Sequence, residues 1–260
     1  MARETNLSRE NDNPRPEVID AYCVLGVDRE YDLTAGTLVE TMDAAEVDRA
    51  VVVPVDRSLA VMNREGNNLM LSAAREHPRR LIPACSVNPW YGAAAESELH
   101  RSLGEGARML VLHPWVQGYL ANDELAFPVL EIAGRERVPV YIHTGQPGNS
   151  TPWQVADLAA RFPGVDFIMG HSGATDFWND AVETAGTRKN VYLESSLARP
   201  FQFAGYLEKV GAAKGIAGSY APLNDLAFEW TQLRECVPAA MWTQVAGGNL
   251  AGLLGKRGAL

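Results

Sequence analysis

The stretch from Val138 to Gly173 reads VPVYIHTGQPGNSTPWQVADLAARFPGVDFIMGHSG and decides the fold. It contains two short apolar runs, Pro139–His143 and Asp166–His171, which are separated by the amphipathic segment Pro152–Ala160. Apolar strands that alternate with helical segments of this length are typical of parallel βαβ units. The stretch therefore predicts a strand–helix–strand unit in which each strand ends at a histidine.

The same alternation continues through most of the chain. We predict eight strands, at Val18–Val24, Ala50–Pro54, Leu81–Val87, Met109–His113, Pro139–His143, Asp166–His171, Val191–Ser195 and Gly215–Ser219. We predict helices at Thr34–Val47, Asn67–Glu76, Asp123–Glu136, Pro152–Ala160, Asp176–Ala185 and Leu223–Cys236. Eight such units in 260 residues predict an α/β protein with a single (β/α)₈ TIM barrel, for which about 250 residues is typical. Pro83 leaves open whether the third strand begins at Leu81 or only after the proline.

An open, doubly wound sheet is the alternative architecture. The motifs that favour it are missing, because no GxGxxG follows the first strand and no GxxxxGK[ST] occurs in the chain. We expect residues 17–260 to form one barrel domain and residues 1–16 to form a polar N-terminal tail.

Composition and charge exclude several classes of function. The net charge of -9, with no basic stripe, argues against general nucleic-acid binding, because phosphate backbones are bound by clustered Lys and Arg. No apolar stretch reaches the roughly 20 residues that a bilayer requires. Cys23, Cys85 and Cys236 form no CxxC motif, so the sequence encodes neither a disulfide framework nor a cysteine-built zinc site. We expect a soluble, cytoplasmic protein that binds neither nucleic acid nor membrane.

Three of the five histidines end predicted strands. These are His113, His143 and His171, which end the fourth, fifth and sixth strands. In a (β/α)₈ barrel the C-terminal strand ends form the active-site face, so side chains that are distant in sequence meet there. We therefore expect the three histidines to lie close together.

The segments around these histidines resemble a known family. They are GARMLVLHPWVQGY (106–119), VPVYIHTGQPG (138–148), ARFPGVDFIMGHSGATDFWNDAV (160–182), NVYLESS (190–196) and GGNLAGLLG (247–255). In order and spacing they resemble the amidohydrolase-related metal-dependent hydrolases, a family of (β/α)₈ hydrolases and decarboxylases that includes aminocarboxymuconate-semialdehyde decarboxylase. The resemblance implies an amidohydrolase-like barrel and a hydrolase or carbon–carbon lyase.

The chain departs from the family at the metal-binding positions. Where the family has HxH on the first strand, this chain has Tyr22 and Val24, and where the family has GSDxP on the eighth strand, it has Tyr220 in place of the aspartate. Of the metal-binding positions that the resemblance implies, only His143 remains, while His171 matches the histidine that activates water or substrate. Catalytic zinc normally takes three protein ligands. We therefore predict no metal and no other cofactor.

A new metal site stays open as an alternative, built from His143, His171, Glu194 and Asp176, but nothing in their spacing requires one. Cys23 is expected to point away from Tyr22 and Val24, because successive side chains of a strand alternate between its faces.

The altered pocket suggests acid–base catalysis without a metal. We predict His171 as general acid or base, aided by His143 and by the phenols of Tyr22 and Tyr220. For substrate binding we predict His113 and Glu194 at strand ends, Trp115 and Trp178 in the loops, and Arg199 as an anion partner. The reactions expected are hydrolysis of a lactone or activated ester, or decarboxylation of a small carboxylate.

Two other functions remain open. The chain could be a non-catalytic subunit, a pseudoenzyme that binds a ligand or pairs with an active relative. Open space around the histidines and tyrosines favours an enzyme, whereas aromatic rings that fill this space favour a scaffold. A nucleophilic enzyme built on Ser172, Ser195 or Ser196 is weaker, because no GxSxG motif is present. We expect a homo-oligomer, or a hetero-oligomer with a related barrel.

Overall fold

A computed structural model describes residues 15–174 and 176–258. Within these residues, eight parallel strands follow one another in chain order around one sheet. They are β1 Ile19–Val27, β2 Arg49–Pro54, β3 Leu81–Ser86, β4 Met109–Leu112, β5 Val140–His143, β6 Phe167–Gly170, β7 Val191–Glu194 and β8 Gly215–Ile216. A further two-residue strand, Asp32–Leu33, pairs antiparallel with the end of β1.

Helices follow the strands. The α-helices are α1 Ala35–Ala44, α2 Asp56–Ala60, α3 Asn63–Glu76, α4 Ala93–Gly104, α5 Pro114–Gln117, α6 Phe127–Glu136, α7 Pro152–Arg161, α8 Trp178–Thr187, α9 Pro200–Val210, α10 Leu226–Cys236, α11 Ala239–Thr243 and α12 Asn249–Leu254. A π-helix spans Gln244–Gly248, and short 3₁₀ helices span Pro89–Tyr91, Glu124–Ala126, His171–Gly173, Ala212–Lys214 and Gly255–Arg257. Among the described residues, no helix is both long and apolar enough to cross a membrane.

Hydrogen bonds across the β1–β8 seam bring the two ends of the sheet together. The amide of Ala21 donates to the carbonyl of Ala217 at 3.0 Å, and the amide of Val24 donates to the carbonyl of Ala221 at 2.7 Å. In return, the amide of Tyr220 donates to the carbonyl of Tyr22 at 3.1 Å. The predicted (β/α)₈ barrel is confirmed.

Local sequence accounts for the helix starts. The hydroxyl of Thr34 accepts a hydrogen bond from the amide of Thr37 and caps α1, and the carboxylate of Asp225 caps α10 in the same way through Phe228. Thr151 and Gln154 form a capping box at the start of α7. β3 begins at Leu81 and continues through Pro83, whose carbonyl accepts from the amide of Arg108 at 2.8 Å.

The strands separate two buried layers. Inside the barrel, the interior cluster contains side chains that alternate along the strands, such as Val51, Val53 and Ile168. Between sheet and helices, a larger cluster contains Cys23 with the helix residues Leu38 and Met42. Tyr22 and Val24 belong to the interior cluster, so the prediction that Cys23 points away from them is confirmed.

The predicted N-terminal tail, residues 1–16, lies mostly outside the described residues. Arg15 is described, and its guanidinium donates to both carboxylate oxygens of Asp48, at 2.6 and 2.9 Å.

Candidate active site

Three histidines meet at the C-terminal ends of neighbouring strands. His113 follows β4, His143 ends β5, and His171 follows β6. The rings of His113 and His143 are stacked with centroids 3.7 Å apart, and the ring of His171 stands nearly edge-on to that of His143 at 4.0 Å. The exposed fractions of the three residues are 3%, 4% and 1%, so all of them lie in the barrel and out of bulk water.

A chain of hydrogen bonds, which we call the relay, joins Glu194, Ser196, His171 and His143. The hydroxyl of Ser196 donates to Oε2 of Glu194 at 2.7 Å, and its oxygen lies 2.8 Å from Nδ1 of His171. Nε2 of His171 lies 2.8 Å from Nε2 of His143. The relay therefore connects a buried carboxylate at the end of β7 to the paired imidazoles.

The relay assigns the tautomer of His171. Its Nδ1 faces the hydroxyl oxygen of Ser196, whose proton is already donated to Glu194, and also lies 3.3 Å from the carbonyl oxygen of Ser196. Both oxygens can only accept here, so Nδ1 carries the proton. Nε2 of His171 is then unprotonated and accepts from His143.

Glu194 is fixed from several sides. Its carboxylate also accepts from the hydroxyl of Tyr141 at 2.8 Å, from the amide of His171 at 3.0 Å and from the amide of Ser196 at 2.8 Å. Two glycines leave room for this arrangement. A Cβ at Gly170 would overlap the ring of Tyr141, and a Cβ at Gly218 would overlap the carboxylate of Glu194.

The backbone at His171 is strained. His171 and Ser172 have φ values of 63° and 48°, in the left-handed region that favours glycine. Such conformations persist only where surrounding contacts hold them. Here the amide of His171 is held by Glu194, and the hydroxyl of Ser172 donates to the carbonyl of Glu194 at 2.7 Å.

Tyrosine rings pack over the histidines. Tyr22 of β1 lies with its ring centroid 5.8 Å from His143 and 6.2 Å from His171, and Tyr220, which follows β8, lies 4.9 Å from His171. Tyr22 is buried, whereas Tyr220 is only partly buried. Tyr220 therefore lies nearest to solvent in this group, and its ring covers the pair of histidines.

Burial keeps these groups in their neutral forms. It lowers the pKa of His171 and of His113 to about 3, and that of His143 well below its ordinary value. Burial also raises the pKa of the phenols of Tyr22 and Tyr220. At neutral pH the site therefore combines neutral imidazoles, which have unprotonated nitrogens, with phenols that can donate a hydrogen bond.

A family model supplies the assignment that the fold and site suggest. The amidohydrolase model matches residues 21–239, which is most of the chain. The chain belongs to the amidohydrolase family. No protein of curated function matches its sequence.

Solved structures of similar fold include several decarboxylases. The 5-carboxyvanillate decarboxylase of Sphingomonas paucimobilis is 17% identical with a TM-score of 0.74, over 92% of this chain and 99% of that one. A 2,6-dihydroxybenzoate decarboxylase from Rhizobium is 13% identical with a TM-score of 0.74, over the same shares. The 5-carboxyvanillate decarboxylase of Novosphingobium aromaticivorans, solved with manganese, is 14% identical with a TM-score of 0.76, over 94% and 97%. At these identities the likeness shows the fold alone.

The residues present in this amidohydrolase do not fit the metal centre that its family implies. The facing nitrogens of His143 and His171 are occupied by each other, and the carboxylate of Glu194 already accepts four hydrogen bonds. The rings of His113 and His143 are stacked on each other, with centroids 3.7 Å apart, rather than arranged around a common centre. Asp176 is exposed. Within residues 15–174 and 176–258, no group of three or more His, Cys, Asp or Glu side chains could hold a metal ion.

Three other predicted binding residues form no ring contact or hydrogen bond with the histidines in the described part of the chain. Trp178, the first residue of α8, stacks on Tyr206 of α9 with centroids 5.8 Å apart, in the layer of helices. Trp115 is 56% exposed, and Arg199 is exposed at the start of α9. The structure therefore brings together Tyr22, Tyr220, Glu194 and the three histidines but not these three residues, whose contacts with a ligand stay predictions.

Sequence reasoning missed the roles of Tyr141 and Ser196. Tyr141 precedes His143 by two residues, so the alternation along β5 already placed both side chains on one face. Ser196 was considered only as a nucleophile, yet its proton faces Glu194 rather than a histidine. Ser172 and Ser195 donate to the backbone carbonyls of Glu194 and Gly218.

Proposed function

We propose that this chain is a metal-independent hydrolase of the amidohydrolase family, which opens a small neutral ester or lactone by acid–base chemistry. The observation that carries the proposal is the relay, which ends in two neutral imidazoles beneath the phenol of Tyr220. A carboxylate that orients one histidine, which in turn orients a second, gives a proton acceptor with a fixed tautomer.

In the proposed reaction, the His171–His143 pair acts as the general base. A water molecule attacks the carbonyl carbon of the substrate, and its proton moves to the imidazole pair. The phenol of Tyr220 donates a hydrogen bond to the oxyanion that forms. The carbon–oxygen bond to the leaving group then breaks, and the leaving oxygen takes the proton back. Acid–base groups positioned in this way contribute about 10²–10⁴-fold in rate.

Charge favours a neutral substrate over a carboxylate. In the described part of the chain, no lysine or arginine hydrogen-bonds to any of the three histidines, whereas the carboxylate of Glu194 lies just below them. An anion at this position would lie close to the carboxylate of Glu194, with no cation among the groups that hydrogen-bond to the histidines. The decarboxylases of similar fold act on aromatic carboxylates, so decarboxylation of a small carboxylate is the competing reaction for the same site.

The test is a substrate panel assayed in the presence of a chelator. We expect hydrolysis of dihydrocoumarin or 4-nitrophenyl acetate and no release of carbon dioxide from 2,6-dihydroxybenzoate. His171→Asn should lower the hydrolysis rate about 100-fold or more, since the amide keeps one hydrogen bond but cannot take up a proton. His100→Asn is the matched control at an exposed histidine. Decarboxylation without hydrolysis, or equal rates for both variants, would overturn the proposal.

A non-catalytic subunit is the second candidate, and the packing of the rings favours it. Tyr22 and Tyr141 lie 4.5 Å apart beside the histidines in the barrel interior, and the ring of Tyr220 packs against Tyr22 and His171. We infer that substrate approaches the histidines past the ring of Tyr220, which is the most exposed of these side chains. Tyr220→Ala separates the candidates, because an enzyme should change its KM or rate, whereas a subunit without substrate should remain inactive with either residue.

A cytoplasmic location belongs to the same proposal. Its support is that Cys23, Cys85 and Cys236 are all free thiols, as in proteins of reducing compartments.

A further inference from the structure

Gln117 is a buried residue that holds both backbone groups of His113. It is the last residue of α5. Its Oε1 accepts from the amide of His113 at 2.9 Å, and its own backbone amide donates to the carbonyl of His113 at 3.0 Å. The single turn of α5 brings the two residues together, because residues four apart are neighbours on one side of a helix. Gln117 therefore fixes the backbone from which the imidazole of His113 projects.

The other end of the Gln117 side chain is anchored to two neighbouring loops. Its Nε2 donates to the carbonyl of Leu59, which follows β2, at 3.1 Å and to the carbonyl of Val87, which follows β3, at 3.0 Å. The oxygen of the amide faces a donor and its nitrogen faces two acceptors, so the amide cannot turn over without losing all three bonds. The position of His113 is thus tied to the loops after three successive strands.

The imidazole that Gln117 holds in place is not satisfied by the protein. Nδ1 of His113 is buried and has no hydrogen-bond partner in the described part of the chain. By contrast, both ring nitrogens of His171 and both carboxylate oxygens of Glu194 have partners. Buried polar atoms of native proteins are hydrogen-bonded with few exceptions. We therefore expect a group from outside the chain to bind at Nδ1 of His113.

The chemistry of this nitrogen favours a neutral hydroxyl group. Burial lowers the pKa of His113 to about 3, so its ring is neutral at pH 7 and offers no charge to an anion. The described residues do not fix whether Nδ1 carries a proton, and a hydroxyl suits either tautomer because it can both donate and accept. A carboxylate or an ammonium group would leave water for a buried ring without an opposite charge, which is costly.

His113 also stands next to the proposed general base. Its ring is stacked on that of His143, with centroids 3.7 Å apart, so a substrate whose carbonyl lies at His143 can place a neighbouring hydroxyl at His113. We propose that Gln117 is a positioning residue, which holds His113 so that Nδ1 binds a hydroxyl group close to the reacting carbonyl of the substrate. This role rests on the proposed hydrolysis of esters and lactones, and it makes hydroxylated lactones the expected substrates.

A matched pair of neutral lactones tests the recognition of the hydroxyl. With a chelator present, α-hydroxy-γ-butyrolactone should be hydrolysed with a kcat/KM about 10–100-fold higher than γ-butyrolactone, because the analogue without the hydroxyl leaves Nδ1 unpaired. His113→Phe keeps a stacked ring without nitrogen atoms and should bring this ratio to about one. Equal kcat/KM values in the wild-type chain, or a ratio that His113→Phe does not lower, would overturn the proposal.

Gln117→Met separates positioning from general support of the loops. Methionine has a similar length but makes none of the three side-chain hydrogen bonds, so the ratio of the two kcat/KM values should fall about fivefold or more. A residue that only supports the loops would lower both values together and leave their ratio unchanged. Gln117→Glu keeps the acceptor for the amide of His113 and should retain more of the ratio than Gln117→Met. Circular dichroism establishes that each variant is folded.

Asn88→Ala is the matched control for Gln117. Asn88 is also buried, and its side-chain amide donates to the carbonyl of Ala60 at 2.7 Å, which joins the same loops after β2 and β3 without a hydrogen bond to His113. Asn88→Ala should leave the ratio unchanged. A ratio that stays at the wild-type value in both folded Gln117 variants, or that falls equally in Asn88→Ala, would overturn the positioning role.

Binding without reaction gives a measurement that does not depend on hydrolysis. Nitrogen-15 spectra of the histidine side chains are recorded with 3-hydroxytetrahydrofuran and with tetrahydrofuran, and the His113 resonances are identified by their loss in His113→Phe. We expect a saturable shift at His113 with the hydroxylated ligand only. If this shift occurs while neither lactone is hydrolysed, the proposed hydrolysis is wrong and the hydroxyl site stands. No shift, or equal shifts with both ligands, would overturn the hydroxyl site.

Discussion

In the described part of the chain, two carboxylates lie fully buried in the barrel, and they are bound in different ways. Asp20, in β1, accepts from the amides of Tyr22 and Ser219 at 3.0 Å each and from the indole of Trp230 at 2.7 Å. Glu194, in β7, accepts from two amides and two hydroxyls. For both, burial raises the pKa and the hydrogen bonds lower it, with a net increase.

The difference lies in what the donors contact next. The partners of Asp20 are the indole of Trp230, two backbone amides and the side chain of Ser219, whose hydroxyl lies 3.8 Å from the buried thiol of Cys23. These contacts hold the β1–β8 seam. The hydroxyl of Ser196 instead accepts a hydrogen bond from His171, so Glu194 acts through Ser196 on an imidazole, which can titrate. The contacts of Asp20 end instead at the thiol of Cys23, whose pKa burial raises so far that it stays protonated. A buried carboxylate therefore indicates function where its partners continue to an imidazole.

The largest expected effect is acid sensitivity caused by the three histidines. In the folded protein His113 and His171 take up protons only near pH 3, whereas in the unfolded chain histidine does so near 6.5. Between these values the unfolded chain holds more protons, so the stabilisation is complete above pH 6.5 and is lost as the pH falls. From pH 6.5 to 5 each histidine should cost up to about 2 kcal/mol of unfolding free energy.

Urea denaturation at pH 7, 6 and 5 measures this loss. Asp20 and Glu194, whose pKa values are raised, act with the opposite sign and reduce the net loss. His113→Phe keeps a stacked ring without a titrating group and should flatten the pH dependence, while His100→Asn should leave it unchanged. A stability that does not change between pH 7 and 5 would contradict the buried, neutral histidines.

The second prediction removes the charge from each carboxylate in turn. Glu194→Gln points an amide donor at groups that also donate, so His171 should lose its Nδ1–H tautomer and hydrolysis should fall about 100-fold. Asp20→Asn should change the rate per folded molecule less than about twofold, because it lies outside the relay. Nitrogen-15 spectra of the five histidines report the tautomer even without a substrate. Equal effects of the two variants would erase the distinction between the carboxylates.

Much of this arrangement could be predicted from sequence. The eight apolar runs correspond to the eight parallel strands, because a strand covered on both faces needs a continuous apolar run. The meeting of His113, His143 and His171 follows from barrel topology, which places the C-terminal strand ends around one axis. Neither inference requires the direction of any single side chain.

The remainder depends on local geometry that a sequence pattern does not encode. The pairing of β1 with β2 shifts register between Asp20 and Cys23, so Tyr22 enters the barrel while Asp20 reaches outward to Trp230. Strict alternation would place Asp20 and Tyr22 on one face. Trp178 was expected at the barrel mouth, but a side chain at the start of a helix can also turn to the next helix, and here it stacks on Tyr206.

A smaller effect is expected from removing one donor of each carboxylate. Trp230→Phe leaves Oδ2 of Asp20 without its indole partner and should lower the free energy of unfolding by about 2–3 kcal/mol. Tyr141→Phe should cost only about 1–2 kcal/mol, because Oε2 of Glu194 keeps two other donors. Urea denaturation at pH 7 compares them, and a larger loss for Tyr141→Phe would mean that the relay, rather than the seam, carries more of the stability.

The smallest effect is expected at Arg199. This residue tests whether the candidate site extends from Glu194 to the protein surface. Arg199 is exposed at the start of α9, five residues after Glu194, and was predicted to bind an anionic part of a substrate. If the site takes a neutral ester, Arg199→Ala should leave KM and kcat within about twofold, since an exposed charge is largely screened by water and salt. A KM that rises tenfold for a carboxylate substrate alone would show that Arg199 belongs to the substrate site. That result would favour decarboxylation over ester hydrolysis.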